Sequence, residues 1–131
     1  LGWLAGQLGQ CRDEPVLLFM HHPPLPTGIE AMDACSLLEG GDELAALVRA
    51  HGRVQGILCG HLHRPVQMQL GGAPLHVAPS VAHQIRLELQ PGAPLMAQLE
   101  PRKLSLHRWS LPLGLCTHSS YIEPFGEGVP L

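Results

Sequence analysis

The chain has 131 residues, of which 45% are hydrophobic and 15% are charged, and its formal net charge is −3 at pH 7. These values are typical of one small globular domain, and the slight acidic excess disfavours binding to a nucleic-acid polymer, which requires a basic surface. No apolar run approaches the roughly 20 residues that cross a bilayer, and the cysteines lack C-x-x-C spacing, so we expect no membrane contact, reduced thiols and a cytoplasmic location.

The first predicted element is an amphipathic helix over residues 1–11. Apolar residues recur there at positions 1, 4, 5, 8 and 11, which is the stripe of one helix face. No initiator methionine and no N-cap residue precede the stripe, so the chain is expected to begin inside an element, as a fragment would. The continuous apolar run Val16–Met20 then predicts a short buried strand.

A pair of histidines follows this strand directly. His21 and His22 are followed by prolines at positions 23, 24 and 26, which exclude regular structure and predict a rigid loop. A helix is predicted next, with Asp42 as its N-cap and Gly52 as its C-cap. The apolar run Val54–Cys59 predicts a second buried strand, joined to the first by a right-handed crossover.

The second strand is also followed by histidines, in the run Gly60-His61-Leu62-His63. Loops at the ends of parallel strands are where α/β folds place binding groups, and neutral imidazole is a common ligand of zinc, iron and related metals. Both rings could enter one site if the backbone is extended, or each could serve one of two adjacent ions. Two histidine clusters at strand ends therefore predict a metal site.

From residue 66 onward the pattern changes to short strands separated by turns, beginning with a hairpin around Gly71-Gly72. The predicted strands are residues 66–70, 74–78, 84–89, 95–100 and 103–109. The last segment, residues 114–131, contains three glycines and two prolines without periodicity. It is predicted to be an extended tail.

Together these motifs resemble a known family. The run His21-His22-Pro23-Pro24, the G-H-x-H run from Gly60 and the run GAPLHVAPS at residues 72–80 are similar to the C-terminal half of calcineurin-like metallophosphoesterases. The most similar group is the class III cyclic nucleotide and glycerophosphodiester phosphodiesterases. The resemblance implies an α/β (α+β) fold class, as half of a four-layer αββα sandwich with a mixed sheet plus antiparallel strands. Residues 1–113 would belong to that domain and residues 114–131 to the tail.

The resemblance also implies a metal-dependent phosphodiesterase with two ions, which could be iron, manganese, zinc or cobalt. His21 and His61 would bind one ion and His63 the other, and a metal-bound hydroxide would attack a small phosphodiester. No catalytic side chain is identified in this chain. The residues expected to contact the substrate are His22, Met32, Asp33, Arg64 and His83.

The same resemblance exposes a gap in the ligand set. The family's N-terminal half supplies D-x-H, G-D and G-N-H-[DE] motifs, including a bridging carboxylate and an asparagine ligand, whereas this sequence contains no asparagine. Its three aspartates, Asp13, Asp33 and Asp42, match neither D-x-H nor G-N-H-[DE]. We therefore expect a partial chain that is inactive alone and that associates with a missing N-terminal half or forms a homo-oligomer.

Two other functions fit the same residues. The chain could be a degenerate, non-catalytic module that binds one metal or associates with other subunits through its antiparallel strands. It could also be a mononuclear zinc hydrolase with three histidine ligands and an open water position, although no carboxylate in the chain is identifiable as its base.

Overall fold

A computed structural model of the chain describes residues 1–130. The helices are α1 (Gly2–Gln10), α2 (Glu30–Asp33) and α3 (Gly41–His51). The strands are β1 (Val16–Met20), β2 (Val54–Cys59), β3 (Val66–Leu70), β4 (Ala73–Val77), β5 (Gln84–Ile85), β6 (Ala97–Gln98), β7 (Lys103–Ser110) and β8 (Gly114–Tyr121). Every element predicted before residue 80 is present, with bounds within two residues of the prediction.

Four strands form one mixed sheet in the order β1-β2-β4-β3. Strands β1, β2 and β4 run parallel, and β3 is antiparallel to β4. Helix α3 lies in the connection from β1 to β2, as a parallel pair requires. Because Met20 pairs with Cys59 at the carboxyl ends of β1 and β2, the loops that begin at His21 and Gly60 leave the sheet side by side.

The hydrophobic core lies between this sheet and helix α3. Ile57, Leu75 and Val77 of the sheet are almost completely buried, and they share one apolar cluster with Leu44 and Val48 of α3. The helix residues lie one turn apart, and Leu75 and Val77 occupy alternate positions on their strand. Burial of one face of each element therefore accounts for the apolar pattern of the sequence.

Helix α3 begins differently from the prediction. Its N-cap is Gly40, in the left-handed conformation (φ 86°), rather than Asp42. A Cβ atom on Gly41 would collide with the carbonyl oxygen of Pro24, so the close approach of the two segments requires glycine there. Asp42 therefore lies in the first turn, where a carboxylate stabilises the positive end of the helix. The predicted C-cap, Gly52, is confirmed and is also left-handed.

A two-stranded ribbon, formed by β7 and β8, lies over part of the opposite face of the sheet. Leu115 of β8 lies over Gly56 of β2, where a side chain on Gly56 would collide with it. His76 of β4 shares a 2.8 Å hydrogen bond with Ser105 of β7. The ribbon therefore meets the sheet through both apolar and polar contacts.

The ribbon corrects the prediction for the end of the chain. Residues 114–121, assigned to an extended tail, form β8 and pair with β7 along its whole length. The boundary predicted between residues 113 and 114 consequently falls inside a hairpin. Hydrophobic alternation does not mark this strand because both of its faces carry polar side chains, such as Thr117 on one and His118 on the other.

Two predicted strands are much shorter than expected. Of residues 84–89 and 95–100, only Gln84–Ile85 and Ala97–Gln98 are strands, and they pair with each other. Prolines at positions 91 and 94 and a glycine at position 92 lie between them and disfavour a longer ladder. The alternation of apolar and polar residues in this region therefore predicted longer strands than the structure contains.

The predicted α/β class is confirmed, as a mixed sheet with additional antiparallel strands. The short helix α2 and strand β8 have no counterpart in the prediction. Among residues 1–130, no helix is both long and apolar enough to cross a membrane.

Candidate metal centre

The candidate site lies where β1 and β2 end. Gly60 follows β2, and its N–H donates a 3.0 Å hydrogen bond to the carbonyl of His21, which follows β1. A Cβ atom at position 60 would lie 3.3 Å from Nδ1 of the His21 ring, which is closer than ordinary van der Waals contact. Glycine at this position therefore leaves room for the His21 ring between the two strand ends.

The G-H-x-H loop has an unusual backbone. His61 (φ 71°) and His63 (φ 49°) are both left-handed, which costs a non-glycine residue about 1–3 kcal/mol. Leu62 between them is fully buried, and its N–H donates a 2.9 Å hydrogen bond to the carbonyl of Gly60. Backbone strain of this kind clusters at functional sites, where the surrounding structure holds it. The buried Leu62 thus anchors the loop that presents both histidines.

The left-handed backbone changes which rings meet. In an extended segment His61 and His63 would project the same way, but here they separate. The ring centroid of His61 lies 5.4 Å from that of His21 and 4.4 Å from that of His22. The ring of His63 instead lies 4.8 Å from that of His83. The two sequence clusters therefore become a group of three histidines and a separate pair.

The three-histidine group, His21, His22 and His61, has the donor spacing of a metal site. One ring nitrogen from each residue lies within 4.8 Å of the others. Nε2 of His61 is buried and has no hydrogen-bond partner among residues 1–130. Such atoms are rare in folded proteins, and a metal ion would satisfy this one. The residues present therefore fit a metal ion.

The electrostatic environment favours the metal-binding form of His61. Burial lowers the pKa of this imidazole below its ordinary 6.5, and charge on His22 lowers it further, while the backbone carbonyl of Met32 opposes the shift. The lowered pKa keeps His61 neutral at pH 7. A neutral imidazole is the form that coordinates metals.

The separate pair, His63 and His83, offers donors for a second ion. Nδ1 of His63 is buried without a hydrogen-bond partner in the described part of the chain. Gln84, next to His83, is almost completely buried, and its amide donates a 2.7 Å hydrogen bond to the carbonyl of Ser80. Its amide oxygen accepts a 3.2 Å bond from the Ser80 N–H. Gln84 thus holds the His83 loop.

Arg64 connects the histidine loop to the later strands. Its Nε donates a 2.7 Å hydrogen bond to the carbonyl of Ile85, and its guanidinium forms an ion pair with Glu100. The side chain is largely buried, at 14% exposure, instead of extending into solvent. Its contact with a substrate phosphate stays a prediction, and the ion pair gives Arg64 a structural role that the sequence did not indicate.

Met32 and Asp33 lie in helix α2 and not in an open loop. Met32 belongs to the hydrophobic core and is 7% exposed. The Asp33 carboxylate accepts hydrogen bonds of 2.7–3.0 Å from the N–H groups of Thr27 and Gly28 and from the Thr27 hydroxyl. Both side chains therefore have partners inside the protein, and their contact with substrate stays a prediction.

Cys59 ends β2 immediately before the histidine loop, but its chemistry disfavours metal binding. Burial raises the pKa of its thiol to about 11. Because the thiolate is the form that binds metals, a thiol protonated at neutral pH is a poor ligand. Cys59 therefore behaves as a small hydrophobic residue of the core.

No carboxylate of residues 1–130 joins the candidate site. Within the described residues, the three-histidine group is the only set of three or more histidine, cysteine, aspartate or glutamate donors close enough to share an ion. The bridging carboxylate and the asparagine of the family pattern have no counterpart beside it. The site thus offers imidazole donors alone.

The chain is similar to curated phosphodiesterases over part of their length, although no family model matches it. A probable glycerophosphodiester phosphodiesterase of Arcobacter nitrofigilis is 40% identical over 128 residues, which are 98% of this chain and 47% of the relative. A 3',5'-cyclic adenosine monophosphate phosphodiesterase of Escherichia coli K12 is 34% identical over 66% of this chain and 31% of the relative. A cAMP/cGMP dual specificity phosphodiesterase of Mycobacterium tuberculosis is 32% identical over 70% of this chain and 28% of the relative.

These similarities point to the same family as the histidine motifs, and they cover the same part of its members. The matched region covers about half the length of the Arcobacter nitrofigilis relative and about 30% of each of the other two. The matched region is the C-terminal part of each relative. The chain therefore belongs to the metallophosphoesterase group of cyclic nucleotide and glycerophosphodiester phosphodiesterases, and it corresponds to the C-terminal part of its members.

Proposed function

We propose that this chain supplies the histidine half of the metal site of a phosphodiesterase. The observation that carries the proposal is the position of His21 and His61 at neighbouring strand ends, with Nε2 of His61 buried and without a partner among residues 1–130. The similarity to proteins named as glycerophosphodiester and cyclic nucleotide phosphodiesterases supports the reaction class.

The histidines divide between two ions in this proposal. His21 and His61 hold one ion, and His63, whose ring lies beside His83, holds the other. When bound, the ions supply Lewis acidity that neutralises the phosphoryl oxygens and lowers the pKa of the attacking water. The chain's own task is to fix the donors, and the buried Leu62 does so for both histidines of its loop.

A complete two-ion site requires donors from outside this sequence. Histidines alone leave such a centre short of ligands, and the bridging carboxylate is the largest deficit. We expect another segment or another chain to supply it beside β1, the edge strand of the sheet, where Phe19 is 74% exposed. Alone, the 131-residue chain is expected to be inactive and to associate with itself or with such a partner.

The surface beside the site supports a small substrate. A groove of about 510 Å³ runs past His21 and Gly60 and is bounded by Phe19 and His107. The groove is shallow and open to solvent, so it could admit a small phosphodiester without enclosing it. The net charge of −3 offers no basic surface for a nucleic-acid polymer. A cyclic nucleotide or a glycerophosphodiester is therefore the expected substrate class.

The proposal is tested by completing the chain. The part of the Arcobacter nitrofigilis relative that this chain does not match is fused before Leu1, and hydrolysis of bis(p-nitrophenyl) phosphate is followed with added manganese. We expect turnover by the fusion, none by the chain alone, and a loss of at least about 100-fold in kcat for His61→Ala, because a metal ligand is removed. His51→Ala is the matched control, since His51 bonds the carbonyl of Cys11 instead of joining the site.

Two results would contradict the proposal. The first is a fusion that circular dichroism shows to be folded but that hydrolyses no phosphodiester with manganese, iron, zinc or cobalt. The second is unchanged turnover in His61→Ala.

A further inference from the structure

We propose that residues 86–96 form a strap that Glu30 fastens to helix α2, and that this strap opens to admit the phosphodiester and closes again over it. The strap joins β5 to β6 and has no regular structure apart from a turn at Pro91-Gly92. The role in admitting a phosphodiester rests on the proposed function, whereas the fastening of the strap does not.

The base of the strap is held at both of its ends. Nε of Arg64 donates a 2.7 Å hydrogen bond to the carbonyl of Ile85, the last residue of β5. The same guanidinium forms an ion pair with Glu100, two residues after β6. Where the strap begins, the N–H of Arg86 donates a 2.8 Å hydrogen bond to the carbonyl of Met96. We therefore expect the base to stay in place while the tip moves.

The tip of the strap is fastened by one hydrogen bond across 62 positions of the sequence. Gly92 is left-handed (φ 73°), which glycine adopts without strain, and its N–H donates a 2.6 Å bond to the carboxylate of Glu30. Within residues 1–130 no other hydrogen bond joins residues 87–95 to another element. Both partners are exposed, so water competes with this bond. It should favour the closed strap by a factor of about five, the ordinary net strength of one hydrogen bond.

An apolar contact lies beside this hydrogen bond. Cδ2 of Leu89 lies 3.5 Å from the position that a Cβ atom on Gly28 would occupy, so the leucine methyl group rests on Gly28. Leu89 nevertheless remains 60% exposed, so the contact buries little apolar area. A segment held by so few buried contacts opens locally at low cost while the rest of the fold stays intact.

The closed strap leaves almost no space above α2. The gap between them is lined by Ile29 and Ala31 on one side and by Ile85 and Leu95 on the other, and it measures about 10 Å³. A space of this size holds about one water molecule. A phosphodiester can therefore enter from this side only after the tip has moved away from α2.

The position of the strap connects it with both groups of histidines. Its base begins three residues after His83, whose ring centroid lies 4.8 Å from that of His63. Its tip rests on α2, and the backbone carbonyl of Met32 in this helix interacts with the ring of His61. The strap thus runs from one histidine group to the other, so its movement should change the access of a substrate to both.

Nuclear Overhauser contacts in the 131-residue chain test the fastening at a point away from the hydrogen bond. In the closed strap the methyl group of Leu89 is close enough to the Hα atoms of Gly28 to give a cross-peak. Glu30→Ala should weaken this cross-peak, and Glu30→Gln, which keeps an acceptor oxygen, should weaken it less. Glu88→Ala is the matched control, because the Glu88 carboxylate accepts a hydrogen bond from Gln90 within the strap itself.

Limited proteolysis measures the size of the same effect. A glutamate-specific protease cleaves after Glu88, in the middle of the strap, when the strap has left α2. We expect Glu30→Ala to raise this cleavage rate about fivefold, because the rate follows the population of the open form and one hydrogen bond has been lost. Cleavage after Glu43 in α3 requires unfolding of the core and should keep its rate. Glu30 is exposed, so the variant should fold.

The effect on the site is measured in the fusion protein with bis(p-nitrophenyl) phosphate. If the bound ester requires the closed strap, Glu30→Ala should raise KM by up to about fivefold, because a smaller fraction of the enzyme is competent to bind. The value of kcat should stay within about twofold, since the bound complex is the same. A change in the metal ligands would lower kcat instead.

The inference is overturned if Glu30→Ala keeps the full cross-peak and the original cleavage rate after Glu88. It is also overturned if the variant loosens the strap but leaves KM of an active fusion unchanged. An inactive fusion contradicts the proposed function instead, and the cross-peak and the cleavage rate then still decide whether Glu30 fastens the strap.

Discussion

The two faces of the central sheet differ in how completely this chain covers them. On the face toward α3, Ile57 and Leu75 are 0% and 1% exposed. On the opposite face, Phe19 of β1 is 74% exposed, and a space of about 540 Å³ lies beside Leu58 and His76 near the ribbon. The helix-covered face is thus a finished core, whereas the ribbon-covered face is only partly closed.

This difference explains how the chain can position its own histidine donors although the other ligands of the site are missing. The histidine loop is anchored in the finished core by Leu62, and Met20, which precedes His21, packs against the same cluster. The donors are therefore positioned by contacts that the chain makes with itself. The ligands that the family pattern adds are expected on the side that the chain leaves open.

The largest effect is expected from a cavity on the finished face. Leu75→Ala removes a side chain that is 1% exposed and should lower the free energy of unfolding by about 3 kcal/mol, the usual cost of a large-to-small change in a core. Urea unfolding followed by circular dichroism measures this loss. Phe19→Ala on the edge strand β1 is the control, and an equal loss there would remove the distinction between the faces.

The contact between ribbon and sheet should give the next largest effect. Gly56→Val places a side chain where Leu115 lies, so the ribbon must shift, and we expect a loss of about 2 kcal/mol, as for other overpacked contacts. Gly6→Ala in α1, which meets no atom within 4 Å, is the control and should not destabilise the chain. A neutral Gly56→Val would show that the ribbon does not rest on β2 in solution.

Sequence patterns predicted the finished face better than the open one. The predicted runs Val16–Met20 and Val54–Cys59 match the bounds of β1 and β2. Strand β2 lies between two parallel neighbours, and most of its residues are buried, which accounts for its apolar composition. Strand β8 was missed because an exposed ribbon needs no hydrophobic alternation. Short-range periodicity reports burial, so it is weakest where burial is incomplete.

The sequence indicated candidate metal ligands but not how their rings are grouped, and the ligand assignment stays a prediction. The strand ends and motifs identified His21, His61 and His63. The grouping depends on the left-handed backbone at His61 and His63, which no residue type in the run requires. The place of His22 beside His61, rather than His63, follows from that conformation and could not be read from the spacing.

Acid should weaken the open face selectively. Burial lowers the pKa values of both His76 and His107 below 6.5. Charge on His107, whose ring centroid lies 5.2 Å away, lowers the pKa of His76 further. The unfolded chain therefore takes up protons near pH 6.5 that the folded chain does not bind, so stability falls as the pH drops through 6.5. The polar groups facing these rings are the hydroxyls of Ser105 and Thr117, which cannot compensate a positive charge.

The pH effect is measured as the difference in unfolding free energy between about pH 7.5 and about pH 5.5, on either side of the ordinary histidine value. His76→Gln keeps a hydrogen-bonding side chain and should reduce the difference. His118→Gln, an exposed residue of the same ribbon, should leave it unchanged. An identical pH dependence in His76→Gln would show that this ring does not link the ribbon to pH.

The smallest effect on stability is expected from Phe19→Ser, although it should change association most. Phe19 lies on the edge strand beside a groove of about 390 Å³ lined by apolar residues that include Trp3 and Leu18. An exposed edge with apolar side chains favours pairing with another chain. Because the ring is already in solvent, serine should change the unfolding free energy by less than about 0.5 kcal/mol.

Sedimentation velocity should show more monomer for Phe19→Ser than for the unmodified chain at equal concentration. A wholly monomeric parent chain would contradict this, since it would mean that the open face and its edge need no partner.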